Sequence, residues 1–399
     1  MLFRMLLGMI TALACATTFA QAPQNKLKIG VLSDFSGAYS AWGGKGSVLA
    51  AEMAVEDYKK ANPKFAYQVE IVSADFQLKP DLAVAIAKKW MEEGVNAIMD
   101  IPLTAAALAV NGVVKGSAVA ALMNGTASND LVVKNCSPNM VHWTYDQYSI
   151  GNPTVQALSK GGKSWFFITV DSIGGAALES GARQLIAAAG GKVSGAVKNA
   201  TGISDFSGQL VQAQASKADV IALAQGGSDT TNALKQAQEF GILAGGQKIA
   251  ILWGLVTDIH GMGLPVAQGL TFTEAFYWDA DDNTRAFSKR FSDRYGGKVP
   301  TSVQAGAYSV LTHYLKGVDA AKSSAAPVVI AKMKELPVSD LALGKGTLRA
   351  DGRMVHDEFL VQVKTPAESK GAWDLYKILR RLPGEEVFRP MSKECPLVK

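Results

Sequence analysis

The sequence contains few of the residues that carry most enzyme chemistry. Its 399 residues include only 3 cysteines and 4 histidines, and the histidines never fall at metal-ligand spacing. No Gly-x-Ser-x-Gly elbow places a nucleophilic serine, and no Gly-x-Gly-x-x-Gly follows the first apolar run. These absences argue against a secreted hydrolase and against a dinucleotide-binding enzyme. We therefore predict no catalytic residue, no metal and no cofactor.

An excess of charge of one sign is also lacking. The 40 basic and 35 acidic residues give a formal net charge of +5, and they are scattered along the chain. A nucleic-acid partner would need a clustered basic surface, so we predict no such partner. The segment Gly43-Gly44-Lys45-Gly46-Ser47 is superficially like a phosphate-binding loop, but Gly46 stands where a Ser or Thr should hold magnesium.

Long apolar runs are absent, and the longest notable stretch lies at the amino end. Residues 1–20 carry one positive charge at Arg4, then about a dozen mostly apolar residues, then Thr18-Phe19-Ala20 with small residues at both cleavage-site positions. This order is typical of a secretory signal peptide, and the stretch is shorter than the ~20 residues of a membrane-spanning helix. We predict cleavage after Ala20 and a periplasmic location. Lipidation at Cys15 is the alternative.

Removal of the signal peptide would leave two cysteines, Cys136 and Cys395. Two cysteines in an oxidising compartment favour one disulfide bond between them. The alternative is a pair of unrelated thiols, one buried and one on the carboxyl-terminal tail. A bond would fix the tail to the middle of the chain.

Short apolar runs alternate with helical patterns along the rest of the chain. Leu27–Leu32 is followed by a helical pattern over Ser47–Lys60, and Ala97–Ile101 by one over Thr104–Lys115; the alternation restarts at Trp165–Val170. Strands separated by helices of about 10–15 residues predict parallel sheets with helices on both faces. At roughly 100–200 residues per domain, the length predicts two such lobes. The fold class is therefore α/β, and polar, glycine-rich loops at the carboxyl ends of strands are where such sheets bind small ligands.

Several segments together resemble the periplasmic binding proteins for branched-chain amino acids. They are the run Ile29–Gly43, the loop Asn124–Leu131, Gly226-Gly227 with the helix after it, Gln268–Leu270, and Ala307-Tyr308 in a closing helix. Their order and spacing cover nearly the whole mature chain. The resemblance implies a type I periplasmic binding fold, with two Rossmann-like lobes that have parallel sheets and are joined by three crossovers.

The resemblance also implies where the lobes begin and end. Residues 26–145 and 278–353 would form the N-terminal lobe, and residues 146–277 and 354–399 the C-terminal lobe. The lobes would close on a small solute and pass it to an ABC permease in the inner membrane, without catalysis. We expect a monomer. Delivery of the ligand to a membrane sensor uses the same fold and stays open as an alternative.

Residue by residue, the resemblance places Trp42 against the apolar end of the ligand. Thr104 would receive a carboxylate at the start of a helix, where free N–H groups favour an anion. Gly125, Thr126 and Ala127 would contact the ligand's head group. The full predicted site consists of Tyr39, Trp42, Leu103, Thr104, Gly125, Thr126, Ala127, Tyr148, Ser172, Gln225, Gly226, Trp253 and Tyr277.

Two positions depart from the pattern for amino-acid ligands. Ser172 stands where an aromatic is expected beside Asp171, and Gly254 or Leu255 replaces the acid that pairs with the ligand's ammonium. An unpaired ammonium in a closed cleft costs on the order of a few kcal/mol. Asp258 is the nearest acid that could restore the pairing. The departures therefore favour a ligand without an ammonium group.

Other segments resemble the subset of this family that takes up aromatic carboxylates. They are Lys134–Asn139, His142–Asp146, Glu274–Asp279 and the tail around Cys395. This resemblance implies an aromatic or other apolar carboxylate, enclosed by Tyr39, Trp42, Tyr148, Trp253 and Tyr277. Branched-chain amino acids, amides and urea-like solutes remain alternatives.

Overall fold

The computed structural model describes residues 25–398. The predicted signal peptide, its cleavage site and Cys15 lie outside these residues. Among the described helices, none has both the length and the apolar character needed to cross a membrane.

A five-stranded parallel sheet forms the centre of the first lobe. Its elements in chain order are β1 (Asn25–Ser33), α1 (Gly44–Ala61), β2 (Tyr67–Asp75), α2 (Pro80–Glu92), β3 (Ala97–Asp100), α3 (Thr104–Val114), β4 (Ala120–Met123) and β5 (Met140–His142). The strand order is β2-β1-β3-β4-β5, with every pair parallel. The carboxyl ends of β1, β3 and β4 therefore meet at one edge, and the loops after them face the second lobe.

A four-stranded parallel sheet forms the centre of the second lobe. Its elements are α4 (Gln147–Leu158), β6 (Ser164–Val170), α5 (Ile173–Ala188), β7 (Lys192–Asn199), α6 (Ser207–Ala215), β8 (Val220–Ala224), α7 (Ser228–Glu239), β9 (Lys248–Ile251), α8 (Val256–Met262) and α9 (Leu264–Ala267). The strand order is β7-β6-β8-β9. The prediction of an α/β protein with two Rossmann-like lobes is confirmed.

The last part of the chain contributes to both lobes. Its elements are β10 (Thr271–Glu274), α10 (Asp282–Arg294), α11 (Ser302–Ala321), α12 (Ala326–Glu335), β11 (Val338–Asp340), β12 (Gly344–Leu348), β13 (Met354–His356), β14 (Glu358–Val363), β15 (Tyr376–Leu382) and α13 (Gly384–Val387). They form two antiparallel sheets, β10-β14-β15 and β11-β12-β13.

Each parallel sheet has its own hydrophobic core. Ile29 and Leu122 of the first sheet pack with Tyr314 of α11 in one buried cluster. Phe166 of the second sheet packs with Val361 of β14 in another. All of these side chains are at most 6% exposed. The strands carry near-continuous apolar runs because helices cover both faces of each sheet.

The chain passes between the lobes three times, after β5, after β10 and after β13. The first and third passages are held together by Arg353, which is fully buried. Its guanidinium donates to the backbone carbonyls of Trp143 and Tyr145. His356 Nε2 lies 2.6 Å from the carbonyl oxygen of Thr144. These contacts hold the first and third passages side by side.

The carboxyl-terminal tail returns from the second lobe to the first. Cys395 forms the predicted disulfide bond with Cys136, across a sequence separation of 259 residues. Arg349 also donates to the carbonyl of Arg389, at 2.8 Å. On the chain-entropy account, such a long closed loop stabilises the fold by at most roughly 5–6 kcal/mol. The disulfide is therefore a covalent link between the lobes in addition to the three passages.

Candidate ligand-binding cleft

A cavity of about 310 Å³ lies between the two lobes. This volume is near the lower end of the roughly 300–1,000 Å³ found for small-molecule sites, so the cavity suits a small solute. It is lined by Tyr39, Leu78, Pro102, Leu103, Thr104, Ala105, Val170, Asp171, Ser172, Ile173, Gly174, Gly175, Leu178, Thr201, Gln225, Gly226 and Trp253.

A strained turn after β3 brings the first lobe's side chains into the cavity. Asp100 and Ile101 have φ angles of 81° and 57°, in the left-handed region that costs non-glycine residues on the order of 1–2 kcal/mol. Asn124 holds the turn, because its side-chain oxygen accepts from the Asp100 N–H at 3.0 Å. The Ile101 N–H donates to Leu32 at 2.9 Å. The turn directs the start of α3 at the cavity.

Two helix N-termini meet at this end of the cavity. Thr104 begins α3 on the first lobe, and Ile173 begins α5 on the second. A Cβ on Gly174 would lie 3.2 Å from Thr104 Oγ1, so the two ends touch. Both helices direct the positive ends of their dipoles and their free first N–H groups toward the same space.

The N–H groups at these ends are largely without protein partners. The side chain of Leu103 does not cap α3. The first backbone hydrogen bond of this helix runs from the Ala107 N–H to the Leu103 carbonyl. On α5, Ser172 Oγ accepts a hydrogen bond from the Gly175 N–H, so the N–H groups of Ile173 and Gly174 are the ones left without a cap. Within residues 25–398, no group accepts from those two or from the first three N–H groups of α3. An anion would satisfy them.

The cavity offers an anion these dipoles but no cationic side chain. Of the described residues that line it, none is Lys, Arg or His, and Asp171 is the one acid. Asp171 is about two-thirds exposed and pairs with Lys198 at 2.8 Å. The cavity therefore suits one compact negative charge at the helix ends, with apolar walls elsewhere.

The other end of the cavity is walled by aromatic rings. Tyr39 of the first lobe and Trp253 of the second lie with ring centroids 6.3 Å apart. Trp42 packs behind them, 4.9 Å from Tyr39 and 4.6 Å from Trp253. All three rings are at most 6% exposed. Flat apolar rings of this kind are suited to enclosing a flat apolar group.

The structure brings seven of the predicted site residues together around the cavity. These are Tyr39, Leu103, Thr104, Ser172, Gln225, Gly226 and Trp253.

The other six predicted site residues lie elsewhere. Trp42 is behind the aromatic wall. The carbonyls of Thr126 and Ala127 bond to His142 and Gln147, and Gly125 donates to Asp100, so this loop lies behind the cavity.

The two remaining tyrosines are farther away. Tyr148 lines a neighbouring polar groove of about 490 Å³. Tyr277 is 3% exposed in the second lobe's core, where its hydroxyl accepts from the N–H groups of Leu375 and Tyr376.

Sequence reasoning missed several apolar lining residues. Leu78 reaches the cavity from a turn after β2, where both Gln77 and Leu78 have φ angles near 54°. Ile173 and Leu178 come from α5, and Thr201 from the loop after β7. An apolar residue in a loop that follows a strand, such as Leu78, is the feature of the sequence that could have indicated a residue lining the cavity.

Buried acids surround the aromatic wall. Burial raises the pKa of Asp258 to about 7. Hydrogen bonds from Leu255 and Trp42 lower this pKa, but their effect is smaller than that of burial. Burial likewise raises the pKa of Asp100 to about 6. The pKa of Glu274 lies well above its ordinary value, because of burial and then the nearby charge of Asp258. In the described part of the chain, no three His, Cys, Asp or Glu side chains are grouped to hold a metal ion.

Two parallel-sheet lobes around a small cavity, with helix N-termini converging on it, define a cleft-type solute-binding protein. The family profile described as periplasmic binding protein matches residues 26–372. The chain therefore belongs to the periplasmic binding protein family, whose members are solute-binding proteins.

Solved structures agree with this assignment. A periplasmic binding protein from Burkholderia mallei is 38% identical, with a TM-score of 0.88 over 94% of this chain and 100% of that chain. A branched chain amino acid ABC transporter periplasmic ligand-binding protein from Burkholderia xenovorans is 36% identical, with a TM-score of 0.79 over 92% and 99%.

A third structure shows likeness of fold alone. It is an ABC transporter solute-binding protein from Rhodopseudomonas palustris in complex with 4-hydroxybenzoate, 20% identical, with a TM-score of 0.80 over 91% of this chain and 99% of that chain. Among curated proteins, the sequence comparison found no match.

Proposed function

We propose that this protein is the extracytoplasmic solute-binding component of an ABC uptake transporter and binds a small carboxylate with an apolar, aromatic body. The observation that carries the ligand class is the pair of helix N-termini that meet at Thr104 and Gly174. Their free N–H groups are an anion site without a cationic side chain. A monocarboxylate supplies one compact charge there and leaves the rest of the molecule for the apolar walls.

The aromatic body would lie against the faces of Tyr39 and Trp253 that line the cavity. Stacking adds ~0.5–1.5 kcal/mol per aromatic pair beyond the burial of the ring. Leu78, Ile173 and Leu178 supply further apolar surface. The complex of the R. palustris protein with 4-hydroxybenzoate is a precedent for such a ligand on this fold.

Branched-chain amino acids are the second candidate, because the 36% identical B. xenovorans protein carries that description. An amino acid needs a partner for its ammonium. The one carboxylate in the lining is Asp171, which is exposed and already paired with Lys198. Gln225 Oε1, a neutral acceptor, also lines the cavity and has no partner among the described residues. Asp258, the acid suggested by the sequence, does not line the cavity and accepts hydrogen bonds from Trp42 and Leu255. The arrangement favours the carboxylate without an ammonium.

The proposed cycle is hinge closure followed by delivery of the solute to an inner-membrane permease, with no chemical conversion of the solute. We propose residues 26–145 and 278–353 as one moving lobe and 146–277 and 354–399 as the other, with the protein acting as a periplasmic monomer. Rotation would be absorbed near Asp146, Glu274–Trp278 and Gly352, where few residues connect the lobes. The core of each parallel sheet supports this division, and a further cluster, which includes Trp42 and Trp253, forms where the lobes meet.

A thermal-shift panel tests the ligand class. Benzoate and 3-phenylpropanoate should raise the melting temperature more than leucine or valine at equal concentration, because a ligand that binds only the folded state stabilises it. Native mass spectrometry of freshly purified protein should show a co-purified acid of small mass. Strong stabilisation by leucine or valine with none by the acids would replace this proposal by the amino-acid one.

A further inference from the structure

Trp42 links the two lobes by a buried hydrogen bond. Its indole Nε1 donates to Asp258, with both carboxylate oxygens at 2.9 Å, although the residues are 216 positions apart. Trp42 is fully buried and Asp258 is 4% exposed. Trp42 comes from the loop after β1, and Asp258 from the first turn of α8. Separation of the lobes must break this bond.

The carboxylate of Asp258 is held in place from its own lobe. Its Oδ2 also accepts from the Leu255 N–H at 2.9 Å, at the start of α8. On the other side, the carbonyl of Trp42 accepts a hydrogen bond from Thr301 Oγ1, at 2.5 Å. Each partner is therefore also held by a hydrogen bond from another residue, Trp42 by Thr301 and Asp258 by Leu255.

Two glycines of the second lobe make room for the first lobe's loop. A Cβ on Gly226 would lie 2.1 Å from Cη2 of Trp42, and one on Gly227 would lie 2.2 Å from the carbonyl oxygen of Ala38. Ser228 donates its N–H to that same carbonyl at 3.2 Å. The loop after β1 thus fits closely against the glycine turn.

We propose that Trp42 and Asp258 form a latch that holds the cleft closed and determines which ligands the closed cleft accepts. Trp42 is then a positioning residue rather than a ligand contact. Because Asp258 is buried against Trp42 and does not line the cavity, its carboxylate does not face the ligand, and an ammonium group enters the closed cleft without that partner. The specificity part rests on the proposed function, whereas the closure part does not.

Hydrogen exchange of the protein without added solute tests the closure. In Trp42→Phe, the amide exchange of a peptide that contains Ser228 should rise at least tenfold, because the Ser228 to Ala38 bond is broken when the cleft opens. Trp143→Phe is the matched control. Trp143 is also fully buried, but its Nε1 donates to Ser309 within the first lobe, at 2.8 Å. In Trp143→Phe, the amide exchange of the peptide that contains Ser228 should stay at the wild-type rate.

A double-mutant cycle keeps the inference falsifiable if Trp42→Phe simply loosens the fold. Asp258→Leu, which has no acceptor atom, and Trp42→Phe should each raise exchange at Ser228, and together they should do no more than the larger one, since each removes the same bond. Additive effects, or unchanged exchange in Trp42→Phe, would overturn the latch.

Titration with 3-phenylpropanoate tests the latch and the proposed ligand class separately. The affinity of Trp42→Phe should fall at least tenfold, since the closed state that binds is less populated. If the wild-type protein binds none of the tested acids, the proposed ligand class fails while the exchange result still decides the latch. An affinity that is unchanged in Trp42→Phe, with acid binding intact in the wild type, would contradict the latch's part in binding.

Discussion

The two ends of the cleft differ in how completely their polar groups are satisfied. At the end where α3 and α5 meet, the first N–H groups have no acceptor among the described residues. At the aromatic end, the Trp42 N–H donates to Asp258, and one buried donor, the Trp253 indole N–H, has no partner among the described residues. Several N–H groups and two helix dipoles at one end attract an anion more strongly than one neutral N–H at the other. The ligand's charge therefore belongs at the helix end, and the aromatic end serves closure and apolar contact.

The largest effect should come from blocking the aromatic end. Gly226→Ala places a methyl group 2.1 Å from the Trp42 ring, and this buried ring has little room to move. The affinity for 3-phenylpropanoate, measured by calorimetric titration, should fall about 100-fold, equivalent to ~2.7 kcal/mol.

Gly208→Ala is the control for this substitution, since a Cβ there meets nothing within 4 Å. Alanine is also the better helix former, so the control should fold at least as well. Wild-type affinity in Gly226→Ala would show that the two lobes do not meet at this glycine when ligand binds.

A smaller effect should come from the helix end. Thr104→Val removes one hydroxyl that lines the cavity and has no partner among the described residues. The affinities for benzoate, 3-phenylpropanoate and 4-methylpentanoate should all fall by a similar factor of about 5–10, or ~1–1.5 kcal/mol, the usual net contribution of one hydrogen bond.

Thr312→Val is the matched control, because its hydroxyl bonds to Tyr308 inside α11, at 2.7 Å. Its affinities should equal those of the wild type. A Thr104→Val effect on one acid only would mean that the hydroxyl contacts the body of the ligand and not its carboxylate.

The buried acids of the aromatic end should make stability depend on pH. The pKa of Asp258 is raised from 3.8 to about 7, so the folded state holds a proton that the unfolded state releases. This contribution is complete below about pH 4 and is lost as the pH rises through 7. Asp100, with its pKa raised to about 6, acts in the same direction. These two acids therefore contribute less to the free energy of unfolding at pH 8 than at pH 5. Buried histidines such as His313 and His356, whose pKa burial lowers to about 4, act in the opposite direction.

Denaturant titration of the wild type and of Asp258→Asn at the two pH values isolates the contribution of Asp258. From pH 5 to pH 8, the wild type should lose more stability, or gain less, than Asp258→Asn, which cannot titrate at this position. The same change in both proteins would show that the pKa of Asp258 is not raised in the folded state.

The smallest effect should follow from Tyr277→Phe. The Tyr277 hydroxyl accepts from Leu375 and Tyr376 in the second lobe's core, at 3.2 and 3.3 Å, and does not line the cavity. Its loss should lower the free energy of unfolding by about 1 kcal/mol and leave the affinity for 3-phenylpropanoate unchanged in titration. A tenfold loss of affinity would instead return Tyr277 to the ligand site.

The central strands of the parallel sheets could be predicted from the sequence because they are buried on both faces. The predicted strand Trp165–Val170 matches β6 except for its first residue, Ser164, and α1 begins at Gly44, three residues before the predicted start. Helix α4 was not predicted, since Pro153 lies inside it. Strand β15 was not predicted either, because four of its residues are exposed and two of those are arginines.

A residue of the candidate site could be predicted where its position follows from a single strand, the loop after it and the next helix. Thr104 at the start of α3 is such a case, because a strand followed by a helix fixes its place at the sheet edge. The position of Trp42 depends instead on how the lobes meet. No local pattern could reveal that its partner is Asp258, 216 residues away.

Matched pairs of ligands that differ only by the ammonium group test the central claim most directly. Calorimetric titration would compare 3-phenylpropanoate with L-phenylalanine, and 4-methylpentanoate with L-leucine. With the helix end holding the carboxylate and Asp258 occupied by Trp42, each acid should bind at least tenfold more tightly than its amino acid. Tighter binding of the amino acid in both pairs would contradict this account, because the cleft would then contain a partner for the ammonium.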